Sequence, residues 1–194
     1  MIEFEYNKRV DERCWKRIIQ AKEMFGHKFP DSFNITQKDI DSAKKQAKYF
    51  RRVWKENERD FYKGIKKIYG YSFPKKIICY INTSPYSMDD YENGYISISM
   101  HRDTPEKIVT TIIHEASHFM FRKYYTDFCR NIGCGQNDIE NIKEIITIIN
   151  NVEFKNVNDY GWKAHQKMRK KTEKIWQAIH DIKKVIKEIK SNLL

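Results

Sequence analysis

The stretch that decides the reading of this chain is PEKIVTTIIHEASHFMFRK, residues 105–123. Ile108, Ile112, Ala116 and Phe119 recur at helical spacing, and Val109, Ile113 and Met120 widen the apolar stripe. Neither a glycine nor a second proline interrupts it. Asp103 or Thr104 can cap the first amides, and Pro105 suits the opening turn, where its missing N–H has no intrahelical partner anyway. The segment is therefore predicted as one helix. Well inside it stands His114-Glu115-Ala116-Ser117-His118, which reads H-E-x-x-H. Four residues are just over one helical turn, so His114 and His118 share a face. Two imidazoles so placed can hold one zinc ion from one side. Glu115 then lies beside the metal, where it can take a proton from a water.

Upstream, Ile77-Ile78-Cys79-Tyr80-Ile81-Asn82 is a short apolar run that reads as a strand. A loop rich in turn formers follows, from Ser84-Pro85-Tyr86 to Tyr91-Glu92-Asn93-Gly94. Tyr95-Ile96-Ser97-Ile98-Ser99-Met100 then alternates strictly, with Ile96, Ile98 and Met100 on one face and Tyr95, Ser97 and Ser99 on the other. That pattern predicts a half-exposed edge strand, to which an extended peptide could add through main-chain hydrogen bonds.

A strand, an alternating strand, an H-E-x-x-H helix and a second helix carrying acidic residues together resemble the zincin superfamily of zinc metallopeptidases. The resemblance covers roughly residues 76–150. The metzincin branch is excluded, because Phe121 and Tyr124 stand where its glycine and third histidine belong. The gluzincin-like alternative implies a glutamate on the later helix as third zinc ligand. Residues 138–150, DIENIKEIITIIN, supply such a helix, with Glu144 at 144 − 118 = 26 positions after His118. Ile142, Ile145, Ile146, Ile148 and Ile149 surround Glu144, and a carboxylate buried there without a partner would be costly; zinc would supply one. Two rivals remain. Glu140 lies one turn earlier on the same face, as ligand or as hydrogen-bond partner to a ligand. Asp127, 127 − 118 = 9 positions after His118, has the aspzincin spacing, and HEASHF resembles the same branch. The glycine pair and Tyr-Gly that accompany the aspzincin aspartate are missing.

The resemblance implies an α+β, zincin-like fold: a small mixed or antiparallel sheet, the active-site helix, and predominantly helical flanks. Residues 1–194 are expected to form a single domain, with a helical N-terminal part (1–75), the sheet and zinc site (76–150) and a C-terminal helix (151–194). In the first part, Val10, Cys14, Trp15, Ile18 and Ile19 mark one helix ending around Gly26 to Pro30. Thr36-x-x-Asp39 opens another, along Ile40, Ala43, Ala47, Phe50, Val53 and Trp54. Phe61, Ile65 and Ile68 either continue it or form a third, up to Gly70. This part is expected to pack behind the sheet and to wall the cleft.

At the other end, His165, Met168, Thr172, Ile175, Ile179, Ile182, Ile186 and Ile189 form a seam with spacings of 3 and 4. As one helix of thirty residues it would run about 45 Å, long enough to protrude or self-associate. His165 opens the seam, just after Asp159-Tyr160-Gly161-Trp162. It reads either as a core histidine or, by resemblance to gluzincins, as a donor that stabilises an oxyanion.

The net charge is +11, from 37 Lys and Arg against 26 Asp and Glu. The basic residues concentrate in predicted helices, at Lys44 to Lys55, Lys163 to Lys174 and Lys183 to Lys190. They read as solvated faces that could also attract nucleic acid, an acidic protein or an anionic membrane. The first 25 residues are too charged for an export signal, and no apolar run reaches the ~20 residues of a membrane span. The expected location is therefore cytoplasmic. Cys14, Cys79, Cys129 and Cys134 have no framework spacing and are expected as reduced thiols, with Cys129 and Cys134 in a loop. The reading as a whole is a zinc-dependent peptide-bond hydrolase acting on a peptide or protein substrate. His114, His118 and Glu144 would be its ligands, Glu115 the general base and His165 the oxyanion donor. The alternatives are a zinc amidase with a non-peptide substrate, or a non-enzymatic basic helical module that binds nucleic acid or an acidic partner.

Overall fold

The apolar run forms strand β2 (Ile77–Asn82) and the alternating run forms strand β4 (Tyr95–Ser99), as their patterns predict. Two further strands, β1 (Ile2–Glu5) and β3 (Met88–Asp90), complete a four-stranded sheet of order β1-β2-β4-β3. β1, β2 and β4 are parallel, and β3 runs antiparallel beside β4, so the sheet is mixed. This is a computed structural model, and residues 1–20 and 32–193 are described. The expected helix end near Gly26 to Pro30 lies outside the described residues.

β4 corrects the expectation of an edge strand. It sits between β2 and β3, and all five of its residues are buried. The cause is helix α1 (Lys8–Gln20), whose Val10 and Cys14 pack on Tyr95 together with Ile78, Tyr80 and Met88. Its polar groups meet those of the strand: the Cys14 thiol donates to Ser97 Oγ at 3.3 Å, and Arg13 donates to the Tyr95 hydroxyl at 3.3 Å. Ser99 Oγ donates to the Ser84 carbonyl at 2.6 Å. The polar half of the alternation is thus satisfied inside the protein, and solvent is not needed to satisfy it. β1 is a second departure, since residues 1–75 were expected to be helical. Its four residues are too few to display a period, and they are held by pairing with β2 through Ile2 to Ile77 and Phe4 to Cys79.

Helix α2 (Gln37–Lys55) starts at the expected capping box: Thr36 Oγ1 accepts from the Asp39 amide, and the Asp39 carboxylate accepts from the Thr36 amide. Its buried Ala43, Ala47, Phe50 and Trp54 face a helix side that packs on β1 and β2. Phe61, Ile65 and Ile68 form a separate helix α3 (Glu58–Tyr69), which stops at Gly70 in the left-handed conformation.

The chain divides into two compact units. One comprises Met1–Glu56 and Lys75–Glu115, with the sheet, α1 and α2; the other comprises Asn57–Pro74 and Ala116–Leu194. Helix α4 (Pro105–Asn131) belongs to both, for the division falls between Glu115 and Ala116. Thr104 is its N-cap, with Oγ1 accepting from the Lys107 amide at 3.3 Å, while Asp103 pairs with Lys107. α4 runs past the expected 123 and closes at Gly133, whose φ of +81° admits glycine readily. There the Gly133 amide donates to the Arg130 carbonyl and the Cys134 amide to the Cys129 carbonyl, a Schellman motif. Cys129 is consequently helical; it and the other three thiols are buried and unbridged.

The second unit continues through α5 (Gln136–Ile146), α6 (Ile149–Glu153), a single 3₁₀ turn (Lys163–His165), α7 (Gln166–Ile179) and α8 (Ile182–Leu193). The expected 45 Å helix is therefore two helices. His180 takes the left-handed conformation, φ +48°, caps α7 and lets α8 fold back on it. The break also resets the phase. In α7 the buried residues are Arg169, Thr172 and Trp176, one position away from much of the predicted seam, and Ile179 is exposed. In α8, Ile182, Val185, Ile186 and Ile189 are buried as the pattern requires, and the helix packs on α5 and α7. Among the described residues no helix is long and apolar enough to cross a membrane.

Candidate metal centre

α4 is buried on almost every side around the motif, and this sets what its polar residues can do. Ile112, Ile113, Ala116, Phe119, Met120 and Phe121 are all buried. Ser117, between the two histidines, is buried too; its hydroxyl donates to Asn150 Oδ1 of α6 at 3.0 Å. His114, Glu115 and His118 each offer a ligand atom, and those atoms all lie within 4.8 Å of one another. Glu115 and His118 are buried, and His114 is half-buried. Two imidazoles and a carboxylate in that space form a group able to hold a metal ion. Their juxtaposition needs only one unbroken helix, as the i, i+1, i+4 spacing anticipates. Burial pushes the Cys79 thiol on β2 up, and the nearby Glu115 charge raises it further.

The three candidate carboxylates for a further ligand are sharply separated. Asp127 lies too far along α4: nine residues past His118 on one unbroken helix is about 13.5 Å of rise. It is mostly exposed and pairs with Arg130 at 3.0 Å. Glu140 turns both oxygens to the Arg122 guanidinium, at 2.9 and 3.0 Å, and takes Lys143 Nζ at 3.2 Å. Burial would raise its pKa, but the Arg122 hydrogen bonds and the Lys143 charge outweigh that and hold it below the ordinary carboxylate value. Glu144 is the one that meets the motif: its Oε2 is 3.5 Å from His118 Nε2.

Glu144 has partners within the chain itself, where the sequence reading expects zinc to supply one. The Trp162 indole N–H donates to its Oε2 at 3.1 Å, and Lys143 Nζ lies 3.2 Å from its Oε1. Its charge also acts on His165. His165, in the 3₁₀ turn, is half-buried, and its Nε2 is 3.1 Å from Asn141 Oδ1. If Nε2–H donates there, a neutral ring keeps Nδ1 as an acceptor only. Burial lowers the His165 pKa, with Arg169 acting in the same direction and Glu144 against them.

Sequence reasoning missed Trp162, Lys143 and Arg169 as members of this neighbourhood. The signal for Arg169 was an arginine inside an apolar seam; Trp162 was noted only as a neighbour of His165. No protein-family model matches the chain, and no match is found among curated proteins or among solved structures.

Proposed function

We propose that the chain is a zinc-dependent hydrolase of peptide bonds, with His114, His118 and Glu144 as the metal ligands. The observation that carries this reading is the clustering of the ligand atoms of His114, Glu115 and His118 within 4.8 Å of one another on one stretch of α4. The donor set suits zinc, which takes imidazole nitrogens and carboxylate oxygens, and three protein ligands leave one position open, as in catalytic sites. Glu144 supports the assignment by its 3.5 Å approach to His118 Nε2. Zinc so held would act as a Lewis acid and bring the pKa of a water toward ~7.

The remaining chemistry belongs to the chain. Glu115, adjacent in sequence to His114 and buried, is the general base that removes a proton from the attacking water. It then returns the proton to the leaving amine. Burial keeps bulk water from competing for the carboxylate. His165 is assigned as a donor to the developing oxyanion, on the strength of its contact with Asn141, three residues before Glu144 on α5; its N–H would have to leave Asn141 to serve.

The test compares new protein N-termini in cells expressing the wild type or Glu115→Gln. The amide keeps the size of the carboxylate and loses its basicity. N-termini that appear only with the wild type support a peptidase. A purified Glu115→Gln protein that holds zinc, with no cleavage by either form, would point to an amidase with a non-peptide substrate. A wild type that holds no zinc would leave the basic helical module as the better reading.

A further inference from the structure

We propose that Trp162 and Arg169 are positioning residues that aim the Glu144 carboxylate at His118, an inference that rests on Glu144 being a metal ligand. Arg169 is 1% exposed. A buried guanidinium is costly unless hydrogen bonds offset its desolvation, and in Arg169 the two terminal nitrogens make them while Nε makes none. Here Nη1 donates to the Glu144 carbonyl at 2.8 Å and to Thr147 Oγ1 at 2.7 Å. Nη2 donates to the Asp159 carbonyl at 2.5 Å and lies 3.3 Å from Asp159 Oδ1. One side chain of α7 therefore ties the end of α5, at Glu144 itself, to the loop that begins at Asp159.

That loop is shaped by the same guanidinium. The Gly161 amide donates to Asp159 Oδ1 at 3.0 Å, and Gly161 has φ +57°. A Cβ at 161 would stand 2.6 Å from the guanidinium carbon of Arg169. Any larger residue at 161 would have to displace the guanidinium and would also be strained at this positive φ. The next residue, Trp162, then delivers its indole N–H to Glu144 Oε2, the oxygen that faces His118. Lys143 takes the other oxygen. Arg169 thus fixes the main chain of Glu144 and, through the loop, the donor that fixes its carboxylate. A glutamate has several rotamers, and this arrangement selects the one directed at the motif.

A packing role alone would also bury Arg169, so the test uses Trp162→Phe, which keeps an aromatic ring and removes the N–H. Zinc affinity is measured by competition with a chromogenic chelator for four full-length proteins: wild type, Trp162→Phe, Glu144→Ala and the double variant. Thermal unfolding of each metal-stripped protein is followed alongside. Loss of a partner that orients a ligand typically weakens metal binding about 10–100-fold. The expected result is a loss of that size for Trp162→Phe, an unchanged melting temperature, and no further loss when the change is made in Glu144→Ala. Wild-type affinity in Trp162→Phe, beside a weakened Glu144→Ala, would overturn the positioning role and leave the ligand assignment standing. So would an equal loss in both backgrounds, since the effect would not pass through Glu144. A Glu144→Ala protein that binds zinc like the wild type would instead overturn the ligand assignment, and the positioning role with it.

Discussion

Glu140 and Glu144 stand one turn apart on the same face of α5, and the two carboxylates have quite different surroundings. Glu140 is gripped by both terminal nitrogens of Arg122, a bidentate ion pair, and its charge is shared further with Lys143. Glu144 receives one indole N–H and one ammonium, and presents Oε2 to His118 at 3.5 Å. Helical spacing decides which face a side chain shares. The neighbouring elements decide its chemistry: α4 brings Arg122 to one carboxylate and His118 to the other, a turn apart on each helix.

The comparison can be broken directly. If Glu144 is a ligand, Glu144→Ala should weaken zinc binding by more than the ~10–100-fold typical when only an orienting partner is lost. Glu140→Ala should change it by no more than a few-fold. Equal losses in the two variants, measured by chelator competition, would erase the distinction. A second, smaller effect concerns the neighbour that feels the Glu144 charge. His165→Ala should keep its zinc and its Michaelis constant and lose about 10² in turnover, as removal of an oxyanion donor does. Full turnover with a lowered melting temperature would return His165 to the packing role that its contact with Asn141 already gives it.

The smallest effect is on acid stability, and it belongs to Glu140. Its pKa lies below the ordinary 4.5 in the folded chain. The unfolded chain therefore takes up the proton first as pH falls. The contribution to stability is complete above about pH 4.5 and fades as pH drops through the folded value. Glu140→Gln should accordingly lower the melting temperature at pH 7 and have less effect near pH 3. A partly exposed pair of this kind is worth at most about 1 kcal/mol. A melting temperature lowered more at pH 3 than at pH 7 would contradict the assigned ion pair.

How far the sequence could be read depended on whether a feature was local. The motif helix, its Thr104 cap, the Thr36 capping box and strand β2 all rest on neighbours within a few residues, and all form as expected. The grouping of His114, Glu115 and His118 is local in the same sense. The errors were tertiary. The alternation of β4 predicted a solvated face, but α1 covers that face with partners of its own. The C-terminal seam predicted one helix, but His180 breaks it without a glycine or proline to announce the turn. Glu144 was singled out because a buried carboxylate needs a partner, and its partners include Trp162 and Lys143, which no spacing rule connects to it.

The central claim is that one metal ion is held by α4 and α5 through His114, His118 and Glu144. Crystals of the full chain grown with zinc, measured on both sides of the zinc absorption edge, test it most directly. The account predicts a single strong anomalous peak about 2.0–2.1 Å from a ring nitrogen of each histidine and about 2.0–2.2 Å from a Glu144 oxygen. A peak bound by Glu140 or Asp127 with Glu144 outside that distance, or no peak on the H-E-x-x-H turn, would contradict it.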